Sequence, residues 1–174
     1  MTVDLVNPEI GRRGLMFVLS SPSGAGKTTL TRLLREQEPS LTLSVSVTTR
    51  ERRPSEVEGV HYYFISPDEF EVMKDRGELL EWAHVHGNYY GTSKSWILEK
   101  MQQGQDVILE IDWQGARQIQ QQFPQAIWIF IVPPSIQVLE ERLRSRGQDD
   151  ESIIQKRISA AHEELSHLTE ANYL

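Results

Sequence analysis

Apolar residues along this chain fall into short dense runs, separated by longer segments with a three- and four-residue rhythm. "LMFVLSS" (15–21), "LTLSVSV" (41–47), "DVILEID" (106–112) and "AIWIFIV" (126–132) are the dense runs. Their length and their β-branched and aromatic content predict buried strands. The first leads into a helical pattern from Lys27 to Gln37, and the last two into "QGARQIQQQF" and "SIQVLEERLRSR". Apolar strands alternating with helices predict an α/β fold, a parallel sheet flanked by helices on both faces. The stretch 48–90 breaks this rhythm: it is rich in Arg, Glu, Tyr and Gly and holds two short strand candidates, "HYYFI" (61–65) and "LLEWAHV" (79–85). We read it as an inserted β-rich subdomain with its own small aromatic core. A final amphipathic helix is expected over 151–170, with Ile154, Ile158, Ala161, Leu165 and Leu168 on one stripe. "NYL" then closes the sequence like the start of another strand.

Composition narrows the class without naming a chemistry. A chain of 174 residues with 39% apolar and 25% charged residues suits one globular domain. A net charge of −7 argues against nucleic acid as the partner, because tracking its backbone needs a basic surface. The absence of cysteine excludes disulfides and thiolate metal sites. The opening "MTVDLVNPEIGRRG" lacks the pattern of a signal peptide. The longest apolar run, "AIWIFIV", falls far short of the ~20 residues that span a bilayer. The expectation is a cytoplasmic protein with no membrane partner. Monomer and homo-oligomer are equally compatible with the sequence.

Chemistry enters at "SSPSGAGKTT", between the first predicted strand and the first predicted helix. It follows the phosphate-loop pattern G-x-x-x-x-G-K-S/T except at the first glycine, where Ser21 stands. Gly24 and Gly26 let backbone amides turn inward around a phosphate at the positive end of a helix. Lys27 supplies a point charge to the β- and γ-phosphates, and the Thr28 hydroxyl suits Mg²⁺. The candidate ATP site is therefore Ser21, Pro22, Ser23, Gly24, Ala25, Gly26, Lys27, Thr28 and Thr29. A small residue such as Ser21 fits the first position if its backbone angles are ordinary. The plain alternative is a strand–turn–helix junction that happens to be rich in small residues.

The second run continues as "SVSVTTRERRPSEVEGVHYYF". Guanidinium groups grip phosphate bidentately and phenols add hydrogen bonds, so Arg50, Arg53 and the tyrosines form a candidate anion site. The bland alternative is a solvated basic loop balanced by Glu51, Glu56 and Glu58. Taken in order after "PSGAGKTT", this segment, "LLEWAHVHGNYYGT" and "VILEIDWQGA" resemble guanylate kinase from about Gly14 to the C-terminus. The resemblance implies a P-loop NTPase-type core (14–47 and 93–135), a GMP-binding region (48–92), a helical lid (136–158) and a C-terminal core helix (159–174). It implies transfer of the ATP γ-phosphate to GMP, with Mg²⁺ as cofactor and ATP and GMP as small-molecule partners. Position by position, Arg50, Arg53, Tyr62 and Tyr90 match the family residues that hold the GMP phosphate, and Ser46, Glu81, Thr92 and Asp112 those around the guanine. Guanine offers two adjacent donors, N1–H and N2–H₂, to a carboxylate such as Glu81, whereas adenine offers a lone pair. Sites built on such complementarity discriminate by ~10⁴–10⁵. Without the neighbouring motifs, Glu81 would read as an ordinary strand-surface acid.

Glu110 and Asp112 sit two apart in "VILEIDWQG", which places them on one side of a strand near its C-terminal end, where ligands of α/β sheets gather. Either can order Mg²⁺ through water, and either can be a helix-capping acid. "LEERLRSRGQDDESIIQKRI" carries Arg142, Arg146 and Arg157, which in the family close over the triphosphate. Lys27 and these three arginines are the candidate catalytic residues. Arg142 and Arg146 share a helix face, and Gly147 precedes an acidic turn, as a hinged flap requires. The alternative is an exposed helix laced with ion pairs. Two other functions compete: a kinase for another nucleoside monophosphate, and a non-enzymatic guanylate-kinase-like module that binds phosphopeptides. The family continues past "NYL" with a strand, a segment touching adenine and a closing helix, which this sequence lacks; the expectation is a truncated chain or an incomplete adenine side.

Overall fold

The computed structural model describes residues 12–145 and 150–174. Along the chain the elements are β1 (Met16–Ser20), α1 (Lys27–Gln37), β2 (Thr42–Leu43), β3 (Val47–Thr48), β4 (Tyr63–Phe64), α2 (Pro67–Asp75) and β5 (Leu79–Val85). They continue as β6 (Asn88–Ser93), α3 (Lys94–Gln102), β7 (Val107–Glu110), α4 (Trp113–Gln122), β8 (Ile127–Phe130), α5 (Ile136–Ser145) and α6 (Glu151–Ser166). The apolar runs meet in one sheet of order β2-β7-β1-β8, every pairing parallel. Strand alternation divides its side chains between two layers. Met16, Val18, Val107, Leu109, Trp128 and Phe130 enter a core with Ile97 and Met101 of α3 and Ala116 and Ile119 of α4. Phe17, Leu19, Ile108 and Ile129 face the other way and line an apolar cleft of ≈ 190 Å³ with Leu34 and Leu41. Trp128 is fully buried, and its indole N–H donates to the equally buried Ser20 hydroxyl at 2.7 Å, which satisfies the one polar atom of that ring.

The predicted strand over 41–47 divides. Its first part pairs with β7, and the Ser44 amide still donates to the Ile108 carbonyl. Beyond Ser44 the hydrogen bonds switch partners: the Ser46 and Thr48 carbonyls accept from the Tyr63 and Ile65 amides. Residues 47–48 thus belong to a second sheet, of order β4-β3-β6-β5. A single alternating run can cross between two sheets without any change in its pattern, so polarity alone does not mark the crossing.

Two helices had not been expected from the pattern. α2 starts at a capping box, with the Ser66 side chain accepting from the Glu69 amide, the Glu69 carboxylate accepting from the Ser66 amide, and Pro67 at the first helical position. α3 follows β6 directly and buries Ile97 and Met101. The last predicted helix stops at Ser166, and a 3₁₀ turn covers Leu168–Glu170. "NYL" does begin a strand pairing: Tyr173 bridges Ile129 in parallel, and its carbonyl accepts from the Phe130 amide. α5 and α6 pack through Leu139, Leu143, Ile154 and Ala161 as a separate small core. No helix among the described residues is long and apolar enough to cross a membrane.

Candidate active site

Six residues connect β1 to α1, and their conformation follows from two glycines. Gly24 (φ 94°) and Gly26 (φ 110°) take left-handed backbone that side-chain-bearing residues avoid. Gly26 caps α1 without any side-chain hydrogen bond, and no acid stands in the first turn. The leading amides of α1 therefore stay available to an anion. Ser21 causes no strain, because His86 is the one non-glycine with positive φ among the described residues. Ser23 precedes Gly24, Ala25 lies between the two glycines, and the Ala25 amide closes a turn onto the Pro22 carbonyl at 3.0 Å. Thr28 and Thr29 are exposed on the first turn of α1.

Lys27 reaches across the sheet end, its Nζ donating to the Ile111 carbonyl at 3.3 Å. Burial pulls its pKa down, while Glu110, Glu164, Asp112 and Glu81 oppose that shift. Glu110 ends β7 and accepts from the buried Thr31 hydroxyl of α1. Asp112 lies beyond the strand, which corrects the expectation that the two acids share one strand side. It caps α4, accepting from the Gly115 amide at 3.0 Å and the Gln114 side chain at 2.9 Å. Burial, chiefly, raises its pKa. No cluster of three or more Asp, Glu or His suited to a metal occurs among the described residues. The exposed Thr28 hydroxyl on the first turn of α1 suits Mg²⁺, which keeps much of its shell as water and phosphate oxygen.

The second sheet carries the other candidates. A bulge between Leu79 and Glu81 shifts the register of β5 and pairs Glu81 with Thr92. Glu81 is 3% exposed, and its Oε1 accepts from the Thr92 hydroxyl at 2.6 Å, so it is no surface acid. Desolvation foremost, and the nearby Asp112, push its pKa up to about 7 against the pull of Thr92 and Lys27. Ser46 is buried in the segment leading to β3. Arg50 forms a bidentate pair with Glu56 at 2.7 and 3.1 Å, lies near Tyr90 and sits over the Tyr62 ring. Tyr62 meets Tyr90 edge to face, and burial pushes its phenol up to about 12. Of the three acids expected to balance the basic loop, Glu56 is the one that pairs with Arg50; it also accepts from the Arg53 amide. The Arg53 side chain is exposed.

Arg142 rests on the phosphate loop, donating to the Ala25 carbonyl at 2.9 Å, and Arg157 reaches Ser23 Oγ at 3.4 Å. Arg142 borders a cleft of ≈ 510 Å³ that Gly24, Gly26 and Thr29 also line. Arg146 and the Gly147 break lie outside the described residues. Arg144, not among the candidates, spends its charge on Glu140 and Glu151. Glu164 is the residue that sequence reasoning missed. It sits on α6 against the loop, its carboxyl near the Ser23 amide and its Oε2 buried and unpaired. Burial pushes its pKa up to about 7 despite the attraction of Lys27. A signal existed: position 164 falls between Ala161 and Leu165 on the inward stripe of the helix, where a charge is costly.

Comparison with known proteins places this arrangement. Residues 13–174 match the family profile described as guanylate kinase. The chain is 55% identical over 161 residues to a guanylate kinase of Cupriavidus metallidurans, covering 92% of this chain and 74% of that protein. It is 52% identical over 162 residues to a guanylate kinase of Carboxydothermus hydrogenoformans, covering 93% and 79%. Its fold matches the crystal structure of guanylate kinase from Anaplasma phagocytophilum with a TM-score of 0.73 and 36% identity, over 92% of this chain and 75% of that one. A profile match over almost the whole sequence, joined to relatives identical at more than half of the aligned positions, leaves one assignment: this chain belongs to the guanylate kinase family.

Proposed function

We propose that this protein transfers the γ-phosphoryl group of ATP to GMP, giving ADP and GDP. One observation carries the reading beyond family membership: Lys27 of the phosphate loop bonds the Ile111 carbonyl, next to the Asp112 carboxylate that neighbours Glu81. Donor and acceptor sites thereby converge at the end of β7. In this reading residues 21–29 cradle the ATP phosphates, and Lys27, Arg142, Arg146 and Arg157 neutralise charge on the transferring group. Arg50, Arg53, Tyr62 and Tyr90 hold the GMP phosphate. Ser46, Glu81, Thr92 and Asp112 surround the guanine. Thr28, with Glu110 or Asp112 through water, would hold Mg²⁺, which when bound neutralises the phosphate oxygens. Residues 14–47 and 93–135 act as core, 48–92 as the GMP-binding region, 136–158 as the lid and 159–174 as the C-terminal core helix. Free nucleotides as substrates assign the protein to the cytoplasm.

No general base is needed, because the acceptor oxygen belongs to a phosphate whose second pKa is about 6. Catalysis then rests on in-line placement, charge neutralisation and the exclusion of water. Coupled ADP-release kinetics with GMP, AMP, CMP, UMP and dTMP tests the reading. Turnover is expected with GMP far above the others; comparable turnover with AMP would overturn it. Lys27→Ala is expected to lower kcat by ~10²-fold or more with GMP binding little changed.

A further inference from the structure

The acid assigned to guanine sits on the edge strand of the second sheet, and the outer side of that strand has an unusual partner. In the order β4-β3-β6-β5, one side of β5 pairs with β6 and the other meets α4. There the Trp82 amide donates to Gln118 Oε1 at 3.1 Å, and Gln118 Nε2 returns a bond to the Trp82 carbonyl at 2.6 Å. A primary amide that donates and accepts in this way reproduces the pairing a neighbouring strand would offer. One turn further on, Gln122 Nε2 donates to the Leu80 carbonyl at 2.9 Å. The backbone on both sides of Glu81 is thus held by one helix.

Gly115 lies three residues before Gln118 on that helix and faces the Glu81 carboxylate itself. A Cβ there would come within 3.0 Å of Glu81 Cδ and closer still to Oε2. Glycine is a poor helix former, and Gly115 has no positive φ that would call for it. The position is glycine because a carboxylate occupies the space of a methyl group. The same residue's amide donates to Asp112, so the two acids of the site are set relative to each other through it.

Resting on the reading of Glu81 as guanine acceptor, we infer that Gln118 and Gly115 are positioning residues for base recognition: Gln118 clamps the open edge of β5, and Gly115 leaves room for the Glu81 carboxylate to face the nucleotide. In this reading both act through Glu81 and not on the substrate itself. Gln118→Leu keeps the bulk and removes both bonds to Trp82. Gly115→Ala suits the helix and displaces only the end of Glu81 and, at 3.2 Å, the tip of Ile111.

The test compares kcat/KM for GMP with that for inosine monophosphate, which lacks the 2-amino donor. A general loss of folded enzyme lowers both values and leaves their ratio unchanged. In Gln118→Leu and Gly115→Ala the GMP preference is expected to fall by about 10-fold or more, the scale of one hydrogen bond to a charged group, with KM for ATP unchanged. Shortening the acid in Gly115→Ala/Glu81→Asp is expected to restore part of it. Glu81→Gln separates the two ideas. If it leaves the preference intact, the guanine role of Glu81 fails; if it abolishes the preference while Gln118→Leu and Gly115→Ala retain it, the positioning roles alone fail.

Discussion

With Glu81 as the proposed guanine acceptor, its burial makes GMP binding a proton-releasing event. The free protein holds this carboxyl at a pKa of about 7, through desolvation first and the neighbouring Asp112 second, with the Thr92 hydroxyl and Lys27 pulling the other way. Guanine presents two donors to it, so the bound form must be the ionised one. At pH 6.5 about three quarters of the molecules carry a proton on Glu81, and at pH 8 about a tenth. Linkage then weakens apparent GMP affinity by ~10-fold between pH 8 and pH 6, equivalent to ~1.4 kcal/mol. The second ionisation of the GMP phosphate, near pH 6, adds about a factor of two at the lower end. Isothermal titration calorimetry at pH 6.5, in two buffers of different ionisation enthalpy, counts the protons directly. Wild type should release about one proton: about three quarters from Glu81 and the remaining quarter from the nucleotide phosphate. Glu81→Gln should release only the phosphate's quarter, and its affinity should change about two-fold over the same pH range. Asp112→Asn retains the helix cap but removes a like charge, so it should lower the Glu81 pKa and shrink the release. Equal proton release in wild type and Glu81→Gln, or a flat affinity profile between pH 6 and 8, would refute the linkage.

Two further predictions concern stability. Glu164 is pushed up to about 7 by burial, so its neutral form is favoured in the fold; that stabilisation is complete below the unfolded value of 4.5 and is lost as pH rises through 7. Thermal unfolding of wild type should therefore improve from pH 8 to pH 5, and Glu164→Gln should flatten its share of that rise, about 2.5 kcal/mol, while Glu81 keeps its own; an unchanged slope in the variant would count against a buried neutral Glu164. Ser20→Ala strands the fully buried Trp128 indole N–H and should cost about 1–3 kcal/mol in urea unfolding, whereas Ser20→Thr, which keeps a hydroxyl, should recover part of it.

How much of this was legible depended on whether a signal was periodic, local or neither. Strands β1, β7 and β8 of the main sheet announced themselves as dense apolar runs, which have few other uses in a chain of this length, whereas β2 was carried by the alternating run 41–47. The phosphate loop was legible because its geometry demands particular residues at fixed offsets, and even Ser21 fitted once its backbone proved ordinary. The crossing near Ser44 was not legible, since a strand that changes sheets changes its hydrogen-bond partners and not its polarity. α2 carried a readable start in "SPDE", whereas the short α3 offered no comparable cap.

The same distinction explains the site. Glu81 drew attention only through its company of motifs, and its burial depends on a one-residue bulge that no alternation pattern reveals: Leu80 and Glu81 are both buried, in succession. Gln118 and Gln122 were invisible for a different reason. Glutamines on a helix ordinarily read as a solvated face, and their pairing with β5 exists only once α4 lies along that edge. The motif residues state what a ligand must meet, while the residues that hold them in place answer to the fold alone. In the proposed reading base specificity draws on both classes, with Glu81 supplying the acceptor and the helix behind it fixing where that acceptor points.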